Sequence, residues 1–290
     1  SGIARATAHM FSAHGARVAL AARSEADLEE TARECVALGG DPLVCVTDMS
    51  VPEQVDHLTQ EVVQTWGRID IWINCASVLM FGRFTDQPMV AFRRVIETNL
   101  FGYVHGSRNA LSAFQRQGNR GILINVASML GTVGEPGLTA YVASKHAIRG
   151  MTTCIRQEMR PHPGIKVVTI MPVAIDTPIY EKAANYTGEG VRSIAPVYAT
   201  ARVARAIVAA ASRPRAEIIV GTYGYALDWA NRLSPTLVNW MIGMFAPRLQ
   251  FTGKATTVSS GNLFESSGAQ AIEGGWRPYW WKRLLGRDAT

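Results

Sequence analysis

GILINVAS, residues 121–128, decides the fold. Its apolar side chains fall on both faces of an extended chain, which suits a strand covered by helices on both sides. A strand with one face in water would alternate apolar and polar residues instead. Outward from it, short runs rich in Val and Ile alternate with helical periodicity. Strands are expected at 17–22, 42–47, 69–74, 121–127, 165–171 and 217–220. Helices are expected at 3–14, 25–38, 52–66, 88–117, 140–160 and 197–212. That rhythm predicts an α/β fold, a doubly wound parallel sheet of Rossmann-like type, as one domain over residues 1–221. Beyond Gly221 the rhythm stops, and residues 222–290 read as a C-terminal helical and aromatic extension.

With 290 residues, 48% hydrophobic and 18% charged, the chain carries enough apolar mass for one sizeable core. The net charge of +6 is spread along the chain, with no dense basic run before Arg277, which argues against nucleic-acid binding. Cys35, Cys45, Cys75 and Cys154 lack paired metal spacing and sit in or beside expected elements. They read as reduced thiols of a cytoplasmic protein, and no metal site is expected. No apolar run is long enough to span a bilayer, and no secretory signal is evident. The end, GGWRPYWWKRLLGRDAT (274–290), interleaves Trp and Tyr with Arg and Lys. It suits a tail packed on the domain or in a subunit interface, or a peripheral membrane contact.

In YVASK (141–145), Tyr141 and Lys145 stand at i and i+4 on one helix face. Ser128 ends the apolar strand, where a doubly wound fold opens its ligand crevice. Asn99 lies in IETNLFG (96–102), and Asn74-Cys75-Ala76-Ser77 closes another strand. This ordered set resembles the short-chain dehydrogenase/reductase family, in its single-domain branch, over about the first 220 residues. The resemblance implies a catalytic tetrad of Asn99, Ser128, Tyr141 and Lys145. A free phenol titrates near pH 10, and the Lys145 ammonium is expected to lower the Tyr141 phenol toward neutrality for acid/base work. Lys145 would also bond the nicotinamide ribose, Ser128 the substrate oxygen, and Asn99 a water linking Lys145 to solvent.

SGIARATAHMF (1–11) then reads as the second half of a glycine-rich phosphate loop entering a helix, whose amino end attracts pyrophosphate. Ser1, Gly2 and Ile3 form the expected cradle, with Ala4 where the family's third glycine usually sits. On this reading the family's first strand and first glycine precede Ser1. A functional protein with upstream residues is therefore expected, and weak NADP binding by the present chain. RVALAARS (17–24) ends without the acidic residue that binds the 2′-hydroxyl of NAD. Arg23 suits the 2′-phosphate of NADP, so NADP(H) is preferred over NAD; the alternative is a solvated loop cation. Asp48 is expected at the adenine, Asn74 and Ala76 beside the cofactor, and Pro172 and Thr177 at the nicotinamide end. Two departures are Asn74-Cys75-Ala76-Ser77 for the family's Asn-Asn-Ala-Gly, and Met171-Pro172-Val173 for its Pro-Gly. Val173 cannot easily take a positive φ, so that wall is expected to be reshaped.

Met129, Leu130, Val133 and Leu138 flank the catalytic elements, with Tyr180 and Tyr186 in a long segment, 177–196, expected to act as a mobile lid. The implied substrate is an apolar alcohol, aldehyde or ketone. The long helices 88–117 and 140–160 resemble those that pair between subunits, giving a homodimer or homotetramer. An NADP(H)-dependent oxidoreductase is the leading expectation. Its alternatives are a sugar-nucleotide epimerase or dehydratase, and a non-catalytic NADP-binding scaffold or sensor.

Overall fold

The computed structural model describes residues 1–266 and 271–277. The chain opens with α1 (Gly2–Ser12), β1 (Arg17–Ala22), α2 (Glu25–Ala37), β2 (Asp41–Val46), α3 (Pro52–Trp66) and β3 (Ile71–Asn74). A short β4 (Met80–Phe81) precedes α4 (Met89–Ile96), α5 (Gly102–Arg116), β5 (Gly121–Val126), α6 (Thr139–Glu158) and β6 (Ile165–Pro172). Then come β7 (Ala184–Asn185), β8 (Glu189–Val191), α7 (Thr200–Ser212), β9 (Glu217–Val220), α8 (Thr222–Leu233), α9 (Pro235–Gln250) and β10 (Phe251–Ala255).

The fold is the Rossmann-like α/β architecture that GILINVAS predicts. β5 lies inside a four-stranded parallel sheet, in the order β3-β5-β6-β9. Successive residues of β5 feed opposite layers. Leu123 packs with Ile165, Val167, Ala110, Phe114 and Val55, under α3 and α5. Ile124 and Val126 pack with Val168, Ile170, Ile148, Val203 and Ile207, under α6 and α7. Each such side chain contributes about 1.5–3 kcal/mol on burial, so both layers are held by the strand's two-faced apolarity. β1 and β2 pair in parallel, from Arg17 opposite Asp41 to Ala22 opposite Val46. Among the described residues no strand joins β1 to β3, so the parallel sheet comes in two pieces.

The helix expected over 88–117 is interrupted. Between α4 and α5, residues Glu97–Phe101 form a π-helical turn that places Asn99 at its centre. Such turns insert one residue into a helix and often mark functional sites. Segment 177–196 is also less irregular than a bare lid: β7 pairs in parallel with β4, and β8 pairs antiparallel with β10. The extension is thereby stitched to the sheet domain. No helix among the described residues is long and apolar enough to cross a membrane. The tail residues 278–290 lie outside the described residues.

Candidate active site

β5 delivers Ser128 to the sheet's carboxyl end, where Ser128 caps a 3-10 turn (Met129–Gly131), its Oγ accepting from the Leu130 N–H at 3.1 Å. Gly131 lets that turn lie against α6. A Cβ there would stand 2.8 Å from the Lys145 carbonyl oxygen. The small residue brings the end of β5 and the Tyr141–Lys145 face together. A cavity of about 640 Å³ results, and Ser128, Tyr141 and Lys145 all line it. Ser1, Gly2, Ile3, Pro172 and Thr177 line the same cavity, so much of the expected cofactor wall meets the expected catalytic groups.

The amino end of α1 is shaped for close approach. Gly2 has φ +53°, and a Cβ on it would stand 3.3 Å from the Thr177 Cγ2. Any side chain at position 2 would thus press on Thr177, another residue expected at the cofactor. Val173 is accommodated without a positive φ, its N–H donating to the Val220 carbonyl at 3.1 Å. The wall is carried by β6–β9 pairing rather than by a glycine bend.

Lys145 is 2% exposed, and its Nζ donates to the Val126 carbonyl at 3.1 Å. It lies over two rings, 5.3 Å from the Tyr103 centroid and 5.4 Å from that of Tyr141. Burial pushes its ammonium down to about 8, with Cys75 acting in the opposite direction. Burial likewise pushes the Tyr141 phenol up to about 12; Ser128 and Ser77 beside it lower it, and Glu135 and Cys75 raise it. The expected lowering of the phenol by its neighbour is therefore not achieved by the protein's own groups. Loss of hydration outweighs the hydrogen bonds from Ser128 and Ser77.

Asn99 also departs from expectation. Its Oδ1 accepts from the Val78 N–H at 2.8 Å, and its Nδ2 donates to the Val78 carbonyl at 2.9 Å and to Ser144 Oγ at 3.3 Å. The side chain clamps the π turn to the segment after β3 and to α6, one residue from Lys145. Its bonds are spent on architecture rather than on the Lys145 ammonium. Asn74 is similarly internal, donating to Asn125 at 2.8 Å and Ser107 at 3.3 Å while accepting from Trp72 at 2.8 Å. Ala76 and Asn99 are not among the cavity's lining residues.

Arg23 and Asp48 lie near one another, and neither is among the residues that line the cavity. Burial raises the Asp48 carboxyl, but bonds from Arg94 at 2.5 Å and Ser50 at 2.7 Å more than offset it and leave it below its usual value. Burial lowers the Arg23 guanidinium, while Asp48 raises it. Arg23 is not a solvated loop cation: it donates to the carbonyls of Asn262 (2.7 Å), Leu263 (3.1 Å) and Phe264 (3.1 Å).

The substrate side is as apolar as expected, with Met129, Leu130, Val133, Leu138 and Tyr180 on its wall. Tyr186 is not among the lining residues and packs instead beside Met80, Val95 and Leu263. Two contributions escaped sequence reading. Val238, Met241, Phe245 and Leu249 of α9 form much of the roof, and Glu135 lines the same space. Burial pushes the Glu135 carboxyl up to about 7, with the Gln250 side chain pulling it down. An evenly apolar helix could have signalled the roof; nothing local marks Glu135.

The model of the short chain dehydrogenase family matches residues 1–187. A similar relative is an uncharacterized oxidoreductase, YxnA, of Bacillus subtilis, 34% identical over 82% of this chain and 68% of its own length. The short-chain dehydrogenase fogB of Aspergillus ruber is 30% identical over 80% of this chain and 94% of its own. The probable oxidoreductase EphD of Mycobacterium tuberculosis is 33% identical, and the matched region spans 42% of its length. Among solved structures, a short-chain type dehydrogenase/reductase from Mycobacterium marinum superposes with a TM-score of 0.66 at 25% identity, covering 76% of this chain and 89% of that one.

Proposed function

Because this chain belongs to the short-chain dehydrogenase family, we propose that it is an NADP(H)-dependent oxidoreductase acting on an apolar alcohol, aldehyde or ketone, with Tyr141 exchanging the proton. Oxidoreductase chemistry with a nicotinamide cofactor is the family's; the cofactor choice, substrate and residue roles are the proposal. The observation that carries it is the one apolar cavity lined by Ser128, Tyr141 and Lys145 and also by Gly2 and Thr177.

When bound, NADP(H) supplies the hydride and, once oxidised, a positive ring. The chain's residues do the rest. Gly2 and Thr177 form a cradle that a Cβ would fill, which fits a dinucleotide passing the amino end of α1. Ser128 presents its hydroxyl to the substrate oxygen beside the phenol. Tyr141, with a phenol raised to about 12 by burial, holds its proton at neutral pH and is suited to donate it to an alkoxide formed on a reduced carbonyl. Lys145 supplies the nearest cation, held by Val126 and two aromatic rings. The Asn99 side chain positions this group through its bonds to Val78 and Ser144, which leaves any water on Asn99 to its main chain.

Arg23 supports NADP over NAD, as a guanidinium at the end of β1 with no carboxylate in its place. One further observation favours lipid contact as a second reading of the C-terminal region: Tyr225, Trp229, Leu233, Leu237 and Trp240 are exposed along α8 and α9. The test of the main reading is Tyr141→Phe, assayed by NADPH oxidation with apolar aldehydes and ketones. Turnover should fall by 10²-fold or more, on the order of a general acid's contribution, with NADPH affinity held within about twofold. Retained turnover removes Tyr141 from its role. Full-length protein that binds NADPH and turns over no carbonyl favours the scaffold alternative.

A further inference from the structure

The main-chain carbonyls on Arg23 come from a segment some 240 residues away in sequence, at 262–264. A second arginine grips the same segment at the same Leu263 carbonyl. Arg94, already bonded to Asp48 and Ser50, donates its Nε to the Leu263 carbonyl at 3.0 Å. The Leu263 side chain is fully buried, among Val78, Met80, Ala91, Val95, Ala140 and Ala184. The backbone on its N-terminal side is fixed as well. Ser259 exchanges both main-chain bonds with Asn185, and the Asn262 N–H donates to the Lys182 carbonyl at 2.9 Å. Gly261 makes the turn with φ +52°, where a Cβ would lie 2.4 Å from that carbonyl oxygen.

Farther along, the Ala271 carbonyl accepts the Gly2 N–H at 3.0 Å. The buried Asp176 carboxylate anchors the residues just beyond, accepting from the N–H groups of Gly274 (3.0 Å) and Trp276 (2.8 Å) and from Arg277 Nε (3.1 Å). Two places suited to receive cofactor phosphates, the Arg23 guanidinium and the amino end of α1, are thus met by carbonyl oxygens of one C-terminal region. A carbonyl is a neutral acceptor. A phosphate adds full negative charge and a bidentate match to the guanidinium fork, so it can displace these carbonyls where a ribose hydroxyl, neutral like them, cannot.

We propose that residues 259–264 are a gate on the phosphate end of the dinucleotide groove, whose carbonyls on Arg23 must give way to the 2′-phosphate of NADP(H). The proposal rests on reading that groove as the NADP site. It assigns the extension a role in cofactor choice: Leu263 seats the gate, and a 2′-phosphorylated dinucleotide opens it while NAD, lacking that phosphate, leaves it closed.

The experiment uses the full chain in two readouts. In stopped-flow fluorescence, the rate of NADPH association should level off with concentration at the gate's opening rate. Leu263→Ala, which loosens the seat, should raise that plateau by about tenfold or more. Gly261→Ala, strained at its φ and against Lys182, provides a second unseating variant should the first fail to fold. In hydrogen exchange, NADPH or 2′,5′-ADP should speed exchange of the 259–264 amides, and NADH should not. Association that stays linear in concentration and unchanged in both variants, with NADPH slowing exchange of 259–264, overturns the gate and leaves the NADP reading standing. Absence of any NADPH or 2′,5′-ADP binding, in wild type and variants alike, overturns the NADP reading and the gate together.

Discussion

The two ends of the groove are built differently. At the acid/base end, Ser128, Tyr141 and Lys145 come from one stretch, β5 to α6. Lys145 is 2% exposed there, bonded to Val126 of that stretch and set over the rings of Tyr103 and Tyr141. At the phosphate end, Arg23 is held by carbonyls contributed from the far C-terminal region. One end is a dry, local, pre-formed site in which burial sets every pKa. The other is assembled from distant segments whose bonds are exchangeable. Proton chemistry needs fixed geometry, whereas cofactor exchange needs something that can release.

Replacing a group at the dry end should have the largest effect. Lys145→Met should cut kcat/KM by roughly 10²–10⁴-fold, the range of an acid/base contribution. The same change should not destabilise the fold at neutral pH. Burial holds the Lys145 ammonium down to about 8 from 10.5, so its charge costs stability at any pH below about 8, and the cost fades as pH rises toward 10.5. The variant's melting temperature should therefore match or exceed wild type at pH 7, with the difference shrinking by pH 10. A large loss of stability at pH 7 would show the Val126 bond to outweigh the buried charge.

A smaller effect belongs to the phosphate end. Arg23→Ala should weaken NADPH binding by about 10–100-fold while leaving NADH within about threefold, because only the former offers a partner for the guanidinium. Equal losses for both nucleotides, read by fluorescence titration, would make Arg23 a structural tie for residues 262–264 alone.

Smallest is the change at Glu135, which sharpens the contrast by altering charge at the dry end without touching its geometry. Its carboxyl, raised to about 7 by burial, is charged above that pH and then raises the Tyr141 phenol. Glu135→Gln should move the alkaline limb of the rate profile to lower pH, by less than about one unit. The folded protein also holds this proton more tightly than the unfolded chain, so ionised Glu135 costs stability as pH rises from 4.5 through about 7. The variant should accordingly gain stability at pH 8 and little at pH 4. Thermal melts at the two values check the sign.

The same contrast explains what could be read from the chain alone. GILINVAS and the Tyr141–Lys145 pair are local patterns, in which strand period and helix spacing already specify which side chains share a face. Gly2 was legible because a phosphate-binding helix start has its own local composition, whereas Thr177 was expected only from the family resemblance. The π turn at Asn99 was not legible, since the apolar spacing of 88–117 was read as one continuous helix and a single inserted residue has no local composition of its own. The roof from α9 was hidden because an evenly apolar run suits packing, an interface or a lipid surface equally. The carbonyls on Arg23 belong to main chain, and no side-chain pattern records where a distant backbone will dock.

The central claim is that one cavity carries hydride and proton transfer together, with Tyr141 as the proton's source. Turnover of an apolar ketone with NADPH deuterated at C4 of the nicotinamide, analysed by mass spectrometry of the product, tests it most directly. Wild-type protein should place one deuterium on the carbinol carbon, and Tyr141→Phe protein that still binds the cofactor should form this product at least about 10²-fold more slowly. Deuterated alcohol formed as fast by the Tyr141→Phe protein would contradict it.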